Sequence, residues 1–340
     1  MIKPKALKIG DTVAVLAPSG GAAHTFPHIY ENGLEALREL GLKIKEYPTA
    51  KKPGDYLATN PKARAEDINN AFRDPEVNAI IATIGGEDSI RILPYLDYQA
   101  IKEHPKIILG YSDATAYLTA IHNTGLVTFN GPTILAGFSQ IHALEEAYKK
   151  HLQTMLFNPP KNYTYPVYKQ YAEGYPDWTY KENTGKVLEL KNNPGPRHLQ
   201  GTTTQGKLWG GCRALLNMLN GTKHWPEAEF FKEKILFLET AEDVPPPAEV
   251  RWLLRSLAAQ GIIKNLNAIL IGRARGYSDD MKEELDNTLQ QIATEEQRED
   301  LTIITGLDFG HTDPQIILPL GIQAQINTKG TIKLLESPYQ

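Results

Sequence analysis

The sequence predicts an α/β protein of two domains, and three observations carry that expectation. The chain has 340 residues, too many for one small core and enough for two α/β domains of ordinary size. Apolar residues make up 41% and charged residues 22%, the balance of a soluble globular protein rather than of a disordered, collagenous or membrane chain. Short β-branched runs alternate with segments of helical periodicity through the first half, as a parallel sheet with crossover helices requires.

The runs Thr12 to Ala17, Leu42 to Tyr47, Asn78 to Ile84, Lys106 to Leu109 and Val127 to Phe129 read as strands. Between and after them, Phe26 to Leu40, Pro61 to Arg73, Asp113 to Asn123 and Ser139 to Leu156 carry apolar residues at helical spacing. The first domain is expected to span residues 1–160. Residues 159–205 change character, with clustered Pro, Gly, Asn and Tyr, and only Lys186 to Leu190 reads as a strand. We expect 161–205 to be an interdomain loop or lid, because a stretch of that length within a compact protein is either functional or disordered. Its tyrosines and Trp178 argue against disorder. The second domain, 206–340, is expected to hold helices over Cys212 to Leu219, Ala248 to Gln260 and Asp280 to Gln297. Its strands are expected at Lys234 to Glu239, Asn267 to Ile271 and Leu301 to Thr305, with a closing hairpin around Asn327-Thr328-Lys329-Gly330.

Several classes of function drop out. A net charge of −4 leaves no nucleic-acid footprint. The apolar run Val13 to Ala17 is too brief for a secretory signal and is broken by Pro18, and no other run could span a bilayer. A single cysteine, Cys212, rules out an intrachain disulfide and any multi-cysteine metal site. A reducing cytoplasm fits these features.

Chemistry concentrates at strand ends. Lys106 to Thr115 is a hydrophobic strand that turns at once into a helix, placing Ser112 at the corner. A serine there projects its hydroxyl from the sheet's carboxyl edge, with the next backbone N–H, that of Asp113, turned toward an attacked carbonyl. The alternative is that Ser112 or Asp113 only caps the helix. Gly85-Gly86 follows another strand, where glycines let backbone amides approach a ligand closely or serve a tight turn. His311, in the glycine-bounded loop Gly306 to Pro314 after a strand, is a candidate general base. Glu239 ends the strand Lys234 to Glu239 and could orient that base, with Glu242 and Asp243 as rivals. Gly201 to Leu208 has Walker A spacing, but Leu208 stands where a serine or threonine must ligate magnesium, so a nucleotidase reading fails. Cys212 has no partner singled out by the sequence and reads as a small core residue.

Gly85-Gly86 with Asp88-Ser89 and Arg91, Gly110-Tyr-Ser-Asp113, Gly206-x-Leu208-x-Gly-Gly211, Leu238-Glu239, and Gly310-His311-Thr312 with Leu318-Pro-Leu-Gly321 together resemble the LD-carboxypeptidase family of serine peptidases. The order covers nearly the whole chain. Glu239-Thr-Ala-Glu242-Asp243-x-Pro245 and the helix from Arg251 further resemble the branch containing the microcin C immunity carboxypeptidases. Cys212 stands where the family's usual asparagine follows the Gly-Gly pair. The resemblance implies that Ser112 is the nucleophile, His311 the base and Glu239 its orienter, with oxyanion amides from Gly85-Gly86 and Asp113. It implies a flavodoxin-like parallel-sheet N-terminal domain, a second, smaller α/β C-terminal domain, a homodimer, and no metal or organic cofactor.

The microcin-immunity branch cleaves the amide that joins a peptidyl or aminoacyl group to a nucleotide-like moiety, so a peptidyl-nucleotide is the expected substrate. A muropeptide LD-carboxypeptidase releasing terminal D-alanine would use the same triad. From another class, a non-catalytic binding protein on a peptidase scaffold would keep the pocket without the chemistry. In the same branch a loop tryptophan stacks on the nucleobase, and Trp178 is the candidate for that role. Tyr175 and Tyr180 are alternatives, and Trp178 could instead only pack the loop.

Overall fold

The computed structural model describes residues 1–157 and 159–340 of the chain. Strands β1 (Thr12–Leu16), β2 (Lys43–Glu46), β3 (Val77–Ala82), β4 (Ile107–Gly110) and β5 (Phe129–Asn130) run parallel in the order β2-β1-β3-β4-β5. This is the flavodoxin-like order. The inner strands are continuous apolar runs because both of their faces are covered. Val13, Val15, Ala79, Ile81, Ile107 and Leu109 face one core, which the helix Pro27–Glu39 covers with Leu34 and Leu37. Ala14, Leu16, Ile80 and Ile108 face the other, against Ile68 and Phe72 of Pro61–Arg73 and Leu118 and Ile121 of Thr115–His122. Both long N-terminal helices open on proline in the first turn, where the missing N–H has no partner to lose.

A second sheet of seven strands gives the C-terminal half its own α/β layer. Thr204–Cys212, Lys234–Glu239, Leu266–Gly272 and Thr302–Leu307 are its parallel centre. Arg197–Gln200 flanks them antiparallel on one side, and the hairpin Gln323–Ile326 with Ile332–Leu334 flanks them on the other. Leu318–Pro319 crosses back and pairs antiparallel with β5, closing the edge of the first sheet.

Three elements differ from expectation, the first being the helix expected over Ser139 to Leu156, which begins only at Glu146 after a short turn at Phe138–Gln140. Lys186 to Leu190 is not a strand: the pairing in that region is made by Gln170–Tyr171 with Lys191–Asn192 and by Arg197–Gln200. Conversely, Thr204–Cys212 is a strand whose glycines and polar residues hide it from periodicity. Those glycines have a steric cause. A Cβ at Gly210 would lie 1.8 Å from the Phe237 carbonyl oxygen, and one at Gly211 would lie 2.5 Å from the Thr115 side chain. The strand thus presses against the helix that follows Ser112, and the Cys212 N–H donates to Thr115 Oγ1 at 2.9 Å.

The aromatic segment between the sheets is packed. Tyr165 and Tyr168 are buried, the Tyr165 hydroxyl donates to the Ile317 carbonyl at 2.7 Å, and Ala172 bridges to Asp313. Among the described residues no helix is long and apolar enough to cross a membrane.

Candidate active site

The carboxyl ends of the two sheets face one cavity of about 360 Å³, whose lining includes Gly85, Ser112, Trp178, Glu242, Arg275 and His311. Crevices of this kind are where open α/β sheets bind ligands. Ser112 follows β4 after a single residue, Tyr111, and holds φ at 60°, the left-handed region that a side chain with Cβ seldom enters. Such a conformation costs on the order of 1–3 kcal/mol and persists only where the surroundings enforce it. Here they do. A Cβ at Gly85 would sit 3.1 Å from Ser112 Cβ and 3.3 Å from its Oγ, so the turn after β3 closes tightly over the serine and a side chain there would press on it. A Cβ at Gly86 would come within 2.8 Å of the Gly20 nitrogen, while the Gly20 N–H donates to the Gly85 carbonyl at 2.9 Å. Asp113 is buried, and its carboxylate accepts from the Ser89 N–H at 3.0 Å, which locks the residue whose amide follows the serine. Burial pushes the Asp113 carboxyl above its usual range, against the pull of its serine partners.

His311 sits in the loop after Thr302–Leu307 and is 7% exposed, with its Nε2 3.0 Å from Ser112 Oγ. The Tyr111 ring packs on it at a centroid distance of 5.1 Å. On its other side Nδ1 lies 3.0 Å from Oε2 of Glu239, the buried last residue of Lys234–Glu239. Gly310 makes that approach possible, since a Cβ there would fall 2.7 Å from Glu239 Oε2. The two atoms are close but out of line, and neither has a well-aligned hydrogen bond. Glu239 Oε1 also accepts from the Ser112 N–H at 3.3 Å, tying the carboxylate to the serine turn.

Glu242, one of the rivals of Glu239 in the sequence, brings a second carboxylate to the same imidazole. Its Oε2 lies 3.0 Å from His311 Nε2, the same nitrogen that faces the serine, while the side chain remains 59% exposed. Burial alone would push the imidazole down, but Glu239 and Glu242 outweigh it and hold His311 at about 10. The hydrogen bond to His311 in turn draws Glu242 down to about 2, against its partial burial. Asp243, the third acid of the run, is exposed and does not line the cavity.

The aromatic wall comes from the segment before the second sheet. Trp178 is buried, meets Tyr175 at 4.8 Å and Phe26 edge-on at 5.6 Å, and lines the cavity together with Tyr175. Tyr180 points away and is 57% exposed. The Tyr175 hydroxyl donates to Asp313 Oδ2 at 2.7 Å and lies 3.3 Å from the Tyr111 hydroxyl. Cys212 is buried, and burial pushes its thiol far up, consistent with a core residue. Gly201 to Leu208 runs into the Thr204–Cys212 strand and does not form a phosphate-binding loop before a helix. Among the described residues, no cluster of His, Cys, Asp or Glu could hold a metal ion. Arg275 is a further cavity residue that sequence reasoning misses, since an arginine after a strand carries no pattern that separates it from a surface charge.

The LD-carboxypeptidase N-terminal domain model matches residues 13–131, and the LD-carboxypeptidase C-terminal domain model matches residues 205–326. A "Probable murein peptide carboxypeptidase" of Bacillus subtilis (strain 168) is 33% identical, over 98% of this chain and 94% of its own length. The microcin C7 self-immunity protein MccF of Escherichia coli is 29% identical, over 94% of this chain and 92% of its own length. The solved structure of the microcin C7 self-immunity protein MccF in complex with aspartyl sulfamoyl adenosine superposes with a TM-score of 0.88 at 28% identity, covering 100% of both chains.

Proposed function

The chain belongs to the LD-carboxypeptidase family of serine peptidase-like hydrolases, and from that membership we propose an amide hydrolysis carried by Ser112, His311 and Glu239. The observation that carries the proposal is the line Ser112 Oγ, His311 Nε2, His311 Nδ1, Glu239 Oε2, with 3.0 Å at each contact. As Ser112 Oγ attacks the carbonyl carbon, its proton passes to Nε2, and Glu239 holds the resulting imidazolium. The carbonyl oxygen gains the negative charge and is met by the amides of the Gly85-Gly86 turn and Asp113. Nε2 then protonates the leaving nitrogen, the C–N bond breaks, and water, deprotonated by the same nitrogen, releases the acyl group from Ser112. Cytoplasmic placement and a homodimer belong to the same reading through the family resemblance.

For substrate, we propose a peptidyl- or aminoacyl-nucleotide. Its support is the aromatic wall of Trp178 and Tyr175 beside the serine, together with the likeness to a protein solved with aspartyl sulfamoyl adenosine. The 33% identity to a "Probable murein peptide carboxypeptidase" favours a muropeptide instead. Kinetics with an aminoacyl sulfamoyl adenosine and with a muropeptide ending in an L,D bond separate the two. A higher kcat/KM for the nucleoside is expected, and the reverse order moves the assignment to the muropeptide. Base stacking on an aromatic side chain contributes about 1–3 kcal/mol, so Trp178→Ala is expected to lower kcat/KM for the nucleoside substrate about tenfold or more. A substrate without a ring should change little; equal losses on both would make Trp178 a packing residue.

The second carboxylate on Nε2 has its own signature. Only neutral imidazole can accept the serine proton, so kcat/KM rises as pH passes upward through the His311 value. Glu242 raises that value, and removing its charge lowers it. Glu242→Gln is therefore expected to move the rising limb of the pH profile to lower pH by about one unit. Pre-steady-state or steady-state profiles read this directly, and an unmoved limb would show that Glu242 leaves the imidazole before chemistry.

A further inference from the structure

Arg275, which is half-buried, stands apart from the buried arginines near the sheets. Arg273, two residues earlier, is paired with Asp308 and donates to Thr312 Oγ1. Arg64 is paired with Asp88, and Arg213 with Glu249. Arg275 has neither an ion pair nor a hydrogen bond among the described residues, yet it lines the cavity with Ser112 and His311 and is the one arginine or lysine that does. It is also held in place. Gly174 has φ at 92°, and a Cβ there would lie 2.4 Å from one terminal nitrogen of the Arg275 guanidinium and 2.8 Å from its Cζ. The guanidinium lies close against the bare backbone of Gly174, one residue before Tyr175 of the aromatic wall.

The surrounding charges do not satisfy it. Asp313 is engaged by the Tyr175 hydroxyl, and Glu242 by His311. The charge of Arg275 is nonetheless felt by both carboxyls, among the smaller influences that lower them. A guanidinium offers five N–H donors in a planar fork that suits an oxyanion, and among the described residues no protein acceptor takes those of Arg275. The ligand is left to supply that acceptor.

We propose that Arg275, seated on Gly174, is a specificity-determining residue that grips an anionic group on the leaving side of the scissile amide. This rests on the amide-hydrolase reading above, and the side is assigned from the adjacency of Gly174 to the Tyr175–Trp178 wall. Both candidate substrates carry the required chemistry close to the scissile nitrogen. A terminal amino acid places a carboxylate on the carbon bonded to that nitrogen. A phosphoramidate places its anionic oxygens on the phosphorus bonded to it, and an acyl sulfamate spreads its charge over nitrogen and sulfonyl oxygens. One guanidinium can serve all three.

The test uses binding, so that it does not depend on turnover. In full-length Ser112→Ala protein, titration calorimetry compares a peptide ending in an L,D bond and a free carboxylate with the same peptide as its carboxamide. The carboxylate should bind about tenfold or more tightly, and adding Arg275→Met should erase that preference while leaving carboxamide affinity within about twofold. Arg275→Lys should keep part of it, because a point charge replaces the fork. Thermal melting of each variant, together with the carboxamide affinity as an internal control, guards against misfolding of the arginine variants. A carboxylate preference that survives Arg275→Met, or no preference at all, overturns the proposal. Aminoacyl sulfamoyl adenosine in the same titrations shows which source of the anion Arg275 favours. With Ser112 restored, absence of hydrolysis on every substrate would instead overturn the amide-hydrolase reading, whatever Arg275 does to affinity.

Discussion

Ser112→Ala is expected to remove hydrolysis by several orders of magnitude while folding and ligand affinity stay near those of the natural protein. The nucleophilic oxygen is lost, and nothing else near it can take its place: Cys212 is buried on the far side of the Thr115 contact, with a thiol that burial holds protonated. The backbone argument also favours a clean result. The strain at φ 60° arises from having a Cβ at all, and alanine keeps the Cβ, so the substitution neither relieves nor adds to it. Cavity walls and the Gly85 contact are likewise retained. The measurements are single-turnover hydrolysis, thermal melting and ligand titration on the same preparation. If the alanine protein retained more than about a tenth of natural turnover, about 1.4 kcal/mol in barrier, another group would have to be the nucleophile.

Glu239→Gln is expected to lower kcat by about 10²- to 10⁴-fold, well beyond anything seen for Glu242→Gln or Asp243→Asn. Glu239 is buried, whereas Glu242 is 59% exposed on its side chain and Asp243 is exposed. A carboxylate can only accept hydrogen bonds, so it selects the tautomer with a proton on Nδ1 and a lone pair on Nε2 facing the serine. The glutamine amide could instead donate to Nδ1, placing the proton on Nε2 where the base is needed. Its NH2 could also turn toward the Ser112 N–H, which now donates to Glu239 Oε1 at 3.3 Å. Both errors act on kcat, so KM should move much less. A larger loss for Glu242→Gln would transfer the orienting role to the outer carboxylate.

Much of this arrangement is legible in the sequence because it sits where local signals are strong. The flavodoxin-like sheet is written in apolar runs such as Val13 to Leu16 and Ile107 to Leu109, each separated by an amphipathic helix. Ser112, Glu239 and His311 all follow or end such runs, and strand ends are where chemistry gathers in α/β proteins. What stays hidden depends on contacts between distant segments. The Thr204–Cys212 strand lacks alternation because Gly210 and Gly211 are chosen by Phe237 and Thr115, far away in sequence. Arg275 looks like an ordinary surface charge until its loop meets Gly174, and Glu242 cannot be told from Glu239 as the partner of His311 until its loop meets that ring. The aromatic segment reads as a linker because its tyrosines are spaced for neither helix nor strand. They are instead spread over contacts with Ile317, Asp313 and one another.

The crossing of Leu318–Pro319 onto β5 bears on how the polypeptide could be made or cut. A nascent chain that has emerged only as far as residue 205 holds β5 without its outer neighbour, leaving peptide groups of that strand open to pairing with another molecule. Emergence of Leu318–Pro319 is then what seals the first sheet, about two hundred residues after β5 was synthesised. Proteolytic clipping between the halves would leave two pieces still bound through this strand, so a nicked molecule should travel as one body until denaturant parts it.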